Sequence, residues 1–203
     1  MAEHVILFAG PMGAGKTTAI EALSEVPVVR TEAANTDRAT ADKATTTVAL
    51  DYGEITVGET DKVRLYGIPG QRRFDFMWQI LKDRARGLVV LVNADAPDPV
   101  ASLIEYVDEF RELYDRGGVV VGLTRADVAS AAGGLSSAGA LSSAAALPSA
   151  ASLSDALQAA YPDMLVPVFT VDPRRTEQMT TVLLTLVANI EMRAAMAPAE
   201  EVH

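Results

Sequence analysis

One short stretch limits the folds open to this chain more than any other feature: GPMGAGKTT at residues 10–18. It follows an apolar run at residues 5–9 and precedes a helix-forming segment at residues 19–23. The stretch fits the pattern G-x-x-x-x-G-K-[ST], in which a glycine-rich loop joins a strand to a helix. Glycine lets backbone N–H groups turn inward at such a loop, and the helix N-terminus adds unpaired donors. We therefore expect a phosphate-binding loop between the first strand and the first helix.

The residues of this loop have separate expected roles. The Lys16 ammonium can reach the β- and γ-phosphates of a nucleoside triphosphate, which also makes Lys16 a candidate catalytic residue. The Thr17 hydroxyl can ligate Mg²⁺. The phosphate-binding residues are expected to be Gly10, Gly13, Ala14, Gly15, Lys16, Thr17 and Thr18. The alternative is a glycine-rich turn that fits the pattern by chance.

Composition excludes several other classes of protein. The formal net charge of −10 disfavours nucleic acid and anionic membranes as partners, because both select basic surfaces. The chain has no cysteine and therefore no disulfide, thiolate metal site or lipidated cysteine. The two histidines, His4 and His203, stand near the termini, which disfavours a histidine-based metal centre. No signal peptide or membrane anchor is evident, so the sequence predicts a cytoplasmic protein.

The order of apolar segments predicts an α/β fold of the P-loop NTPase kind. Residues 48–57 and 62–66 read as an antiparallel hairpin, and the continuous apolar runs at 88–92 and 119–123 as buried strands. A last strand at 166–171 contains Pro167 and is expected near an edge. Helices are predicted at 73–85, 99–114, 155–161 and 176–196. We expect a mostly parallel six-stranded sheet with one antiparallel edge strand and helices on both faces.

Residues 129–154 do not follow this plan. They contain only Ala, Ser, Gly, Leu and one Pro, and leucine recurs every six residues from Leu135 to Leu153. Six residues is not a helical period. We interpret the segment as a low-complexity insertion into a single domain made of residues 1–128 and 155–197, followed by a tail at 198–203. The alternative is an alanine-rich helix that binds a partner.

A second group of residues is placed to read a nucleotide base. Thr124, Arg125 and Asp127 follow the strand at 119–123. A carboxylate there can accept hydrogen bonds from the N1–H and the exocyclic amine of guanine, a donor pair that adenine lacks. The stem of Arg125 can pack against the base plane. The alternative for Asp127 is a helix N-cap.

Two further elements are candidates for sensing the γ-phosphate. Thr47 ends a polar loop just before the hairpin and can ligate Mg²⁺ through its hydroxyl, with Thr46 as the second choice. In the turn at residues 67–71, the N–H of Gly70 can bond a γ-phosphate oxygen, and Gln71 can orient the attacking water.

With these elements in this order, the chain resembles the Ras-like small GTPases. It is most similar to bacterial Mgl-type GTPases and to small ATP/GTP-binding proteins that pair with roadblock/LC7-type partners. These share a T-T-T-V-x-x-D-Y-G-like start of the hairpin and an L-Y-G-x-P-G-Q element. The resemblance implies a GTP/GDP switch with Mg²⁺ as cofactor, slow hydrolysis and an activating protein or effector.

The chain departs from the Ras-like pattern at several positions. Gly67 replaces the Asp that holds a Mg²⁺-bound water, which leaves Asp37 and Asp51 as candidates for that task. Met12 is bulky where an arginine finger enters, so hydrolysis could depend on an internal arginine: Arg38, Arg72 or Arg73. The S-A-K element is missing, and only backbone contacts to the base are expected from Thr170, Val171 and Asp172.

Three functions follow from these observations. The first is a GTP-hydrolysing molecular switch. The second is a nucleotide-binding scaffold with little or no hydrolysis, which Gly67 and Met12 favour. The third is a P-loop ATPase or kinase, which the uncharged insertion disfavours because a kinase lid is usually rich in arginine.

Overall fold

The computed structural model describes residues 3–30, 50–58, 61–70, 75–127 and 148–196. Within these ranges the chain forms a sheet flanked by helices. The strands are β1 (Glu3–Ala9), β2 (Val29–Arg30), β3 (Asp51–Val57), β4 (Asp61–Gly67), β5 (Gly87–Asn93), β6 (Val119–Thr124) and β7 (Val168–Thr170). The helices are α1 (Lys16–Leu23), α2 (Asp75–Arg84), α3 (Pro99–Glu109), α4 (Arg111–Arg116), α5 (Ala150–Ala160) and α6 (Thr176–Met196).

The seven described strands form one sheet in the order β2-β3-β4-β1-β5-β6-β7. β4, β1, β5, β6 and β7 are parallel neighbours, whereas β3 is antiparallel to both β2 and β4. The α/β fold and the mostly parallel sheet confirm the prediction from sequence. The sheet differs from the prediction in having a seventh strand. The two-residue strand β2 pairs with β3 and forms the edge of the sheet that was predicted for β3. β7 lies at the opposite edge, where Pro167 costs no ladder hydrogen bond.

Side chains alternate along the central strands between two hydrophobic cores. One core contains Leu7 and Val90 and packs against α2, α3, α4 and α5. The other contains Ile6 and Val89 and packs against α1 and α6. Both faces of β5 and β6 are covered, which explains why these strands read as continuous apolar runs. With helices on both sheet faces, the carboxyl ends of β1, β5 and β6 form one edge where loops meet.

The largest differences from the predicted helices are in the segments at 99–114 and 155–161. The predicted helix at 99–114 divides at Phe110 into α3 and α4. α5 begins at Ala150, because the Ser149 side chain accepts a hydrogen bond from the Ser152 N–H and caps the helix. Leu153 is fully buried, so this last leucine of the repeat belongs to the core. Residues 129–147 of the proposed insertion lie outside the described residues, as does the tail at 198–203.

Helix α6 is, by length and composition alone, apolar enough to cross a membrane, and it is the one such helix among the described residues. Its apolar residues Met179, Leu183 and Leu186 are buried in the core shared with α1. Packing against the sheet therefore accounts for the apolar residues on the buried face of this helix.

Candidate functional site

The glycine-rich loop lies where β1 ends and α1 begins, as its sequence pattern predicts. Gly10, Gly13 and Gly15 have φ angles of 138°, 79° and 91°, which side chains rarely adopt. Lys16 is the first residue of α1, and Gly15 is its N-cap. The loop thus places backbone N–H groups at a helix N-terminus, which is an anion-binding arrangement.

Packing makes glycine obligatory at the start of this loop. A Cβ atom built on Gly10 would lie 2.0 Å from the backbone oxygen of Leu91 on β5. A backbone atom has little freedom to move aside, so the loop can approach the sheet this closely only without a side chain at residue 10.

Gly10→Ala is expected to lower the free energy of unfolding by about 3 kcal/mol or more, because it combines a disfavoured φ with overpacking. The matched control is Gly58→Ala in the β3–β4 turn. Gly58 also has a positive φ, 67°, but among the described residues no atom beyond its chain neighbours lies within 4 Å of the position that its Cβ would take. The control should cost about 1–2 kcal/mol. Equal losses for both variants in urea unfolding would show that the contact with Leu91 is unimportant.

The Lys16 side chain folds back over the loop. Its Nζ donates hydrogen bonds of 2.8 Å to the carbonyl oxygens of Gly10 and Pro11. Burial lowers the pKa of Lys16 to about 8, and the nearby charge of Asp51 opposes this shift. A phosphate group would offer the ammonium a full negative charge in place of the two carbonyl dipoles. The ammonium is therefore placed to exchange loop carbonyls for phosphate oxygens.

Asp51 reaches the loop from the antiparallel strand. The Thr17 hydroxyl donates a hydrogen bond to Oδ2 of Asp51. Asp51 is the register partner of Gly67, the residue that ends β4. A Cβ on Gly67 would lie 3.1 Å from both Cβ and Oδ2 of Asp51. The Asp51 carboxylate thus occupies the space that a side chain at residue 67 would need.

These contacts bear on the choice between Asp37 and Asp51. Asp51 lies beside Thr17, the predicted metal ligand, so a hydroxyl and a carboxylate oxygen meet at the start of α1. Oxygen ligands of this kind suit Mg²⁺. Asp37 and Thr47 lie outside the described residues. Among the residues described, no group of three or more Asp, Glu, His or Cys side chains could hold a metal ion, so phosphate oxygens would have to complete this site.

Part of the glycine-rich loop lines one cavity together with two of the predicted base-reading residues, Arg125 and Asp127, whereas Lys16, Thr17 and Thr124 are not among its lining residues. It has a volume of about 280 Å³. Its walls are formed by Gly13, Gly15, Thr18, Arg125, Asp127, Asp172, Pro173 and Arg174. A Cβ on Gly15 would lie 2.7 Å from Cγ of Pro173, so the loop before α6 packs directly against the glycine-rich loop. The cavity runs from the phosphate-binding end to the carboxylate of Asp127.

At the far end of this cavity, a charged pair fixes the backbone turn after β6. Arg125 has a φ of 60°, and its guanidinium forms a 2.6 Å ion pair with Asp95, which follows β5. Thr124 is buried, and its hydroxyl bonds the Val92 carbonyl and the Asn93 side chain, each at 3.2 Å. These contacts tie the ends of β5 and β6 together. Asp127 is left 72% exposed, facing the cavity.

Arg174 is a cavity residue that the sequence analysis did not identify. It forms two 2.8 Å hydrogen bonds with the Asp172 carboxylate and lies 4.0 Å from Oδ2 of Asp127. The Arg174 guanidinium lowers the pKa of Asp172 to about 2. Its position in the sequence could have identified it as a site residue, because Arg174 follows the last strand, in the loop where the missing S-A-K element would stand.

The other predicted base-binding residues are placed differently. The Val171 N–H donates to the Leu123 carbonyl, and the Asp172 N–H donates to the Gln178 side chain. Thr170 ends β7 and, like Val171, does not line the cavity. The amides of Val171 and Asp172 are therefore already hydrogen-bonded within the protein. Backbone contacts from residues 170–172 to a base stay a prediction.

Gly70 lies against the glycine-rich loop. A Cβ there would be 2.6 Å from the Gly10 carbonyl oxygen and 2.9 Å from the Met12 nitrogen. Its own carbonyl accepts a 3.4 Å hydrogen bond from the Tyr106 hydroxyl on α3. The position suits an N–H that contacts the outermost phosphate. Gln71 lies outside the described residues, so its catalytic role stays a prediction.

The fold and this site together define a P-loop nucleotide-binding protein. Residues 27–193 match the model of a family described as conserved hypothetical ATP binding proteins, and the chain belongs to this family. The match begins after the glycine-rich loop, so the loop and the family match are independent observations. No curated protein matches the chain.

Proposed function

We propose that this protein binds GTP and GDP and acts as a nucleotide-dependent molecular switch that hydrolyses GTP slowly. The observation that supports this most is the cavity that joins Gly13, Gly15 and Thr18 to Asp127. Phosphate groups would bind at the first end and the base at the second. A nucleoside diphosphate or triphosphate has charge at one end and hydrogen-bonding edges at the other, which matches this arrangement.

Asp127 is the basis for proposing guanine rather than adenine. Its exposed carboxylate faces the cavity and accepts hydrogen bonds but cannot donate them when ionised. Guanine presents two adjacent donors, N1–H and the exocyclic amine, whereas adenine presents an acceptor at N1. The family's description favours ATP as the second candidate. The two nucleotides differ in what they offer Asp127. Guanine would donate two hydrogen bonds to its carboxylate, whereas adenine has no such pair of donors.

Asp127→Asn is the test of this proposal. The wild-type protein is expected to bind GDP at least ~100-fold more tightly than ADP, since a site built to bond two donors strongly rejects a base without them. Asp127→Asn should lose most of that preference and should bind xanthosine diphosphate more tightly than wild type does, because the amide can donate to the xanthine O2. Equal affinity of wild type for GDP and ADP in titration calorimetry would contradict the proposal and favour ATP.

For hydrolysis, we assign each step to a residue of this chain. Lys16 and the loop N–H groups stabilise charge that develops on the γ-phosphate. Gln71 orients the attacking water, and the Gly70 N–H bonds a γ-phosphate oxygen. Thr17 and Thr47 would hold Mg²⁺ directly, and Asp51 would accept a hydrogen bond from a water on it. When bound, Mg²⁺ neutralises charge on the β- and γ-phosphate oxygens.

The Mgl-type resemblance adds partners to this proposal. A roadblock/LC7-type protein, or another activating protein and effector, would read the loops that GTP orders. The proposed location is the cytoplasm, with no direct membrane anchor and no nucleic-acid partner.

A nucleotide-binding scaffold without turnover is a second candidate. Met12 is 75% exposed beside the phosphate end, where its side chain would obstruct an arginine supplied by a partner. Single-turnover hydrolysis of GTP separates the two functions. Hydrolysis that is faster than that of free GTP in solution supports the switch, provided that this acceleration is lost in Gln71→Leu. The scaffold is supported if turnover stays at background with and without a roadblock-type protein.

A further inference from the structure

We propose that Arg174 is a specificity-determining residue that donates a hydrogen bond to O6 of guanine, an inference that rests on the proposed function and deepens it. Asp127 would accept hydrogen bonds from the adjacent N1–H and from the exocyclic amine. Both side chains are largely exposed and line the nucleotide cavity, so a base that enters the cavity can reach them. Guanine would then be read by a cation and a carboxylate together.

The Arg174 guanidinium is anchored by one carboxylate. Its Nε and Nη2 atoms each donate a 2.8 Å hydrogen bond to Asp172, and the Arg174 backbone N–H donates to the same carboxylate at 3.0 Å. An arginine side chain carries five N–H donors, so these two side-chain bonds leave the other three for a ligand. Asp172 thus fixes the direction of the guanidinium without engaging all of its donors.

The spacing between Arg174 and Asp127 suits two neighbouring atoms of a base. Nη2 of Arg174 lies 4.0 Å from Oδ2 of Asp127, which is too far for a direct hydrogen bond. A base edge bound by both side chains would accept a hydrogen bond at one atom and donate one at the next. Guanine presents this order, with the acceptor O6 beside the donor N1–H. Adenine presents the reverse order, with an amine donor beside the N1 acceptor.

Other donors near this part of the cavity are already engaged. The N–H groups of Val171 and Asp172 are hydrogen-bonded within the protein. The Arg125 guanidinium is paired with Asp95, which does not line the cavity. Of the two arginines that line the described cavity, Arg174 is the one that lies within 4.0 Å of the Asp127 carboxylate. Arg174 is therefore the best-placed donor for O6.

The test compares GDP with 6-thio-GDP, in which sulfur replaces O6 while N1–H and the exocyclic amine remain. Sulfur is a weak acceptor, so wild type should bind 6-thio-GDP at least ~10-fold less tightly than GDP in titration calorimetry. Arg174→Met should weaken GDP binding at least ~10-fold and bind the two nucleotides within ~3-fold of each other, because the hydrogen bond from a charged donor is lost. Arg174 is 71% exposed, so this variant should stay folded.

Two controls separate this contact from loss of charge and from loss of the site. Arg175→Met removes the same charge at the next residue, which is exposed and does not line the cavity, and it should bind both nucleotides as wild type does. Inosine diphosphate keeps O6 and N1–H but lacks the exocyclic amine. Its affinity relative to GDP should be the same in wild type and in Arg174→Met, because Asp127 reads the amine.

The inference is overturned if Arg174→Met keeps the wild-type preference for GDP over 6-thio-GDP, or if Arg175→Met loses this preference equally. It is also overturned if wild type prefers GDP over ADP but binds 6-thio-GDP as tightly as GDP, a result that leaves the proposed function intact. Wild-type protein that binds GDP and ADP alike would instead contradict the proposed function and the role of Arg174 with it.

Discussion

Lys16→Met is expected to weaken nucleotide binding by about 100-fold or more while the protein stays folded. The substitution removes a buried ammonium and leaves phosphate charge unpaired, which typically costs ~2–5 kcal/mol of binding free energy. In the structure this ammonium donates hydrogen bonds to two carbonyl oxygens of the glycine-rich loop, which phosphate oxygens could replace. The measurement is titration calorimetry with GDP. Lys62→Met, an exposed position on β4, is the matched control and should bind as wild type does.

The depressed pKa of Lys16 adds a pH dependence with a definite sign. Its value of about 8 refers to the ligand-free protein. Phosphate favours the charged ammonium, so above pH 8 the protein must take up a proton before it binds tightly. Nucleotide affinity should therefore be constant below pH 7 and about tenfold weaker at pH 9. Lys16→Met should lack this dependence. A wild-type affinity that is the same at pH 7 and pH 9 would contradict the assignment of Lys16.

Asp51→Gly is expected to weaken Mg²⁺ binding in the nucleotide complex about 10–100-fold, the usual effect of losing an outer-shell ligand, and to slow hydrolysis. The reason is the contact of its carboxylate with the Thr17 hydroxyl. Gly67→Asp alone should destabilise the protein, because a Cβ there would lie 3.1 Å from Asp51 and 2.9 Å from Cδ1 of Ile20. The measurements are Mg²⁺ titration of the GDP complex and single-turnover hydrolysis.

The double variant Asp51→Gly/Gly67→Asp gives the sharpest form of this test. The two residues are register partners on adjacent strands, so the exchange returns a carboxylate to the same space from β4. Metal affinity should recover at least in part, and the coupling energy of the cycle should be clearly nonzero. Asp155→Ala, at an exposed position on α5, controls for loss of charge alone. Additive losses in the double variant would show that Asp51 and Gly67 do not share one function.

The sequence was most informative where one local pattern determines the structure. The apolar runs that became β5 and β6 are buried on both faces, and their composition follows from that burial alone. The glycine-rich loop is similarly local, because its φ angles and the start of α1 lie within one short stretch. α6 was predicted with its observed bounds, since its buried residues keep a helical period along its length.

The sequence was least informative where function depends on pairing between distant segments. Asp51 meets Thr17 only because β3 pairs with β4 in one register, and the sequence left Asp37 equally open. Arg125 is held by Asp95, which comes from a different strand end. The six-residue recurrence of leucine also concealed the start of α5, because Leu153 fits both the repeat and the core. Such contacts depend on the register of the sheet, which local patterns do not encode.

The proposed specificity for guanine is tested most directly by the nucleotide that remains bound when the protein is purified. The protein would be denatured, and the released nucleotide would be identified and quantified by ion-exchange chromatography against standards. The carboxylate of Asp127 in the shared cavity predicts GDP or GTP at close to one equivalent. Adenine nucleotide at that stoichiometry, with no guanine nucleotide, would contradict the account.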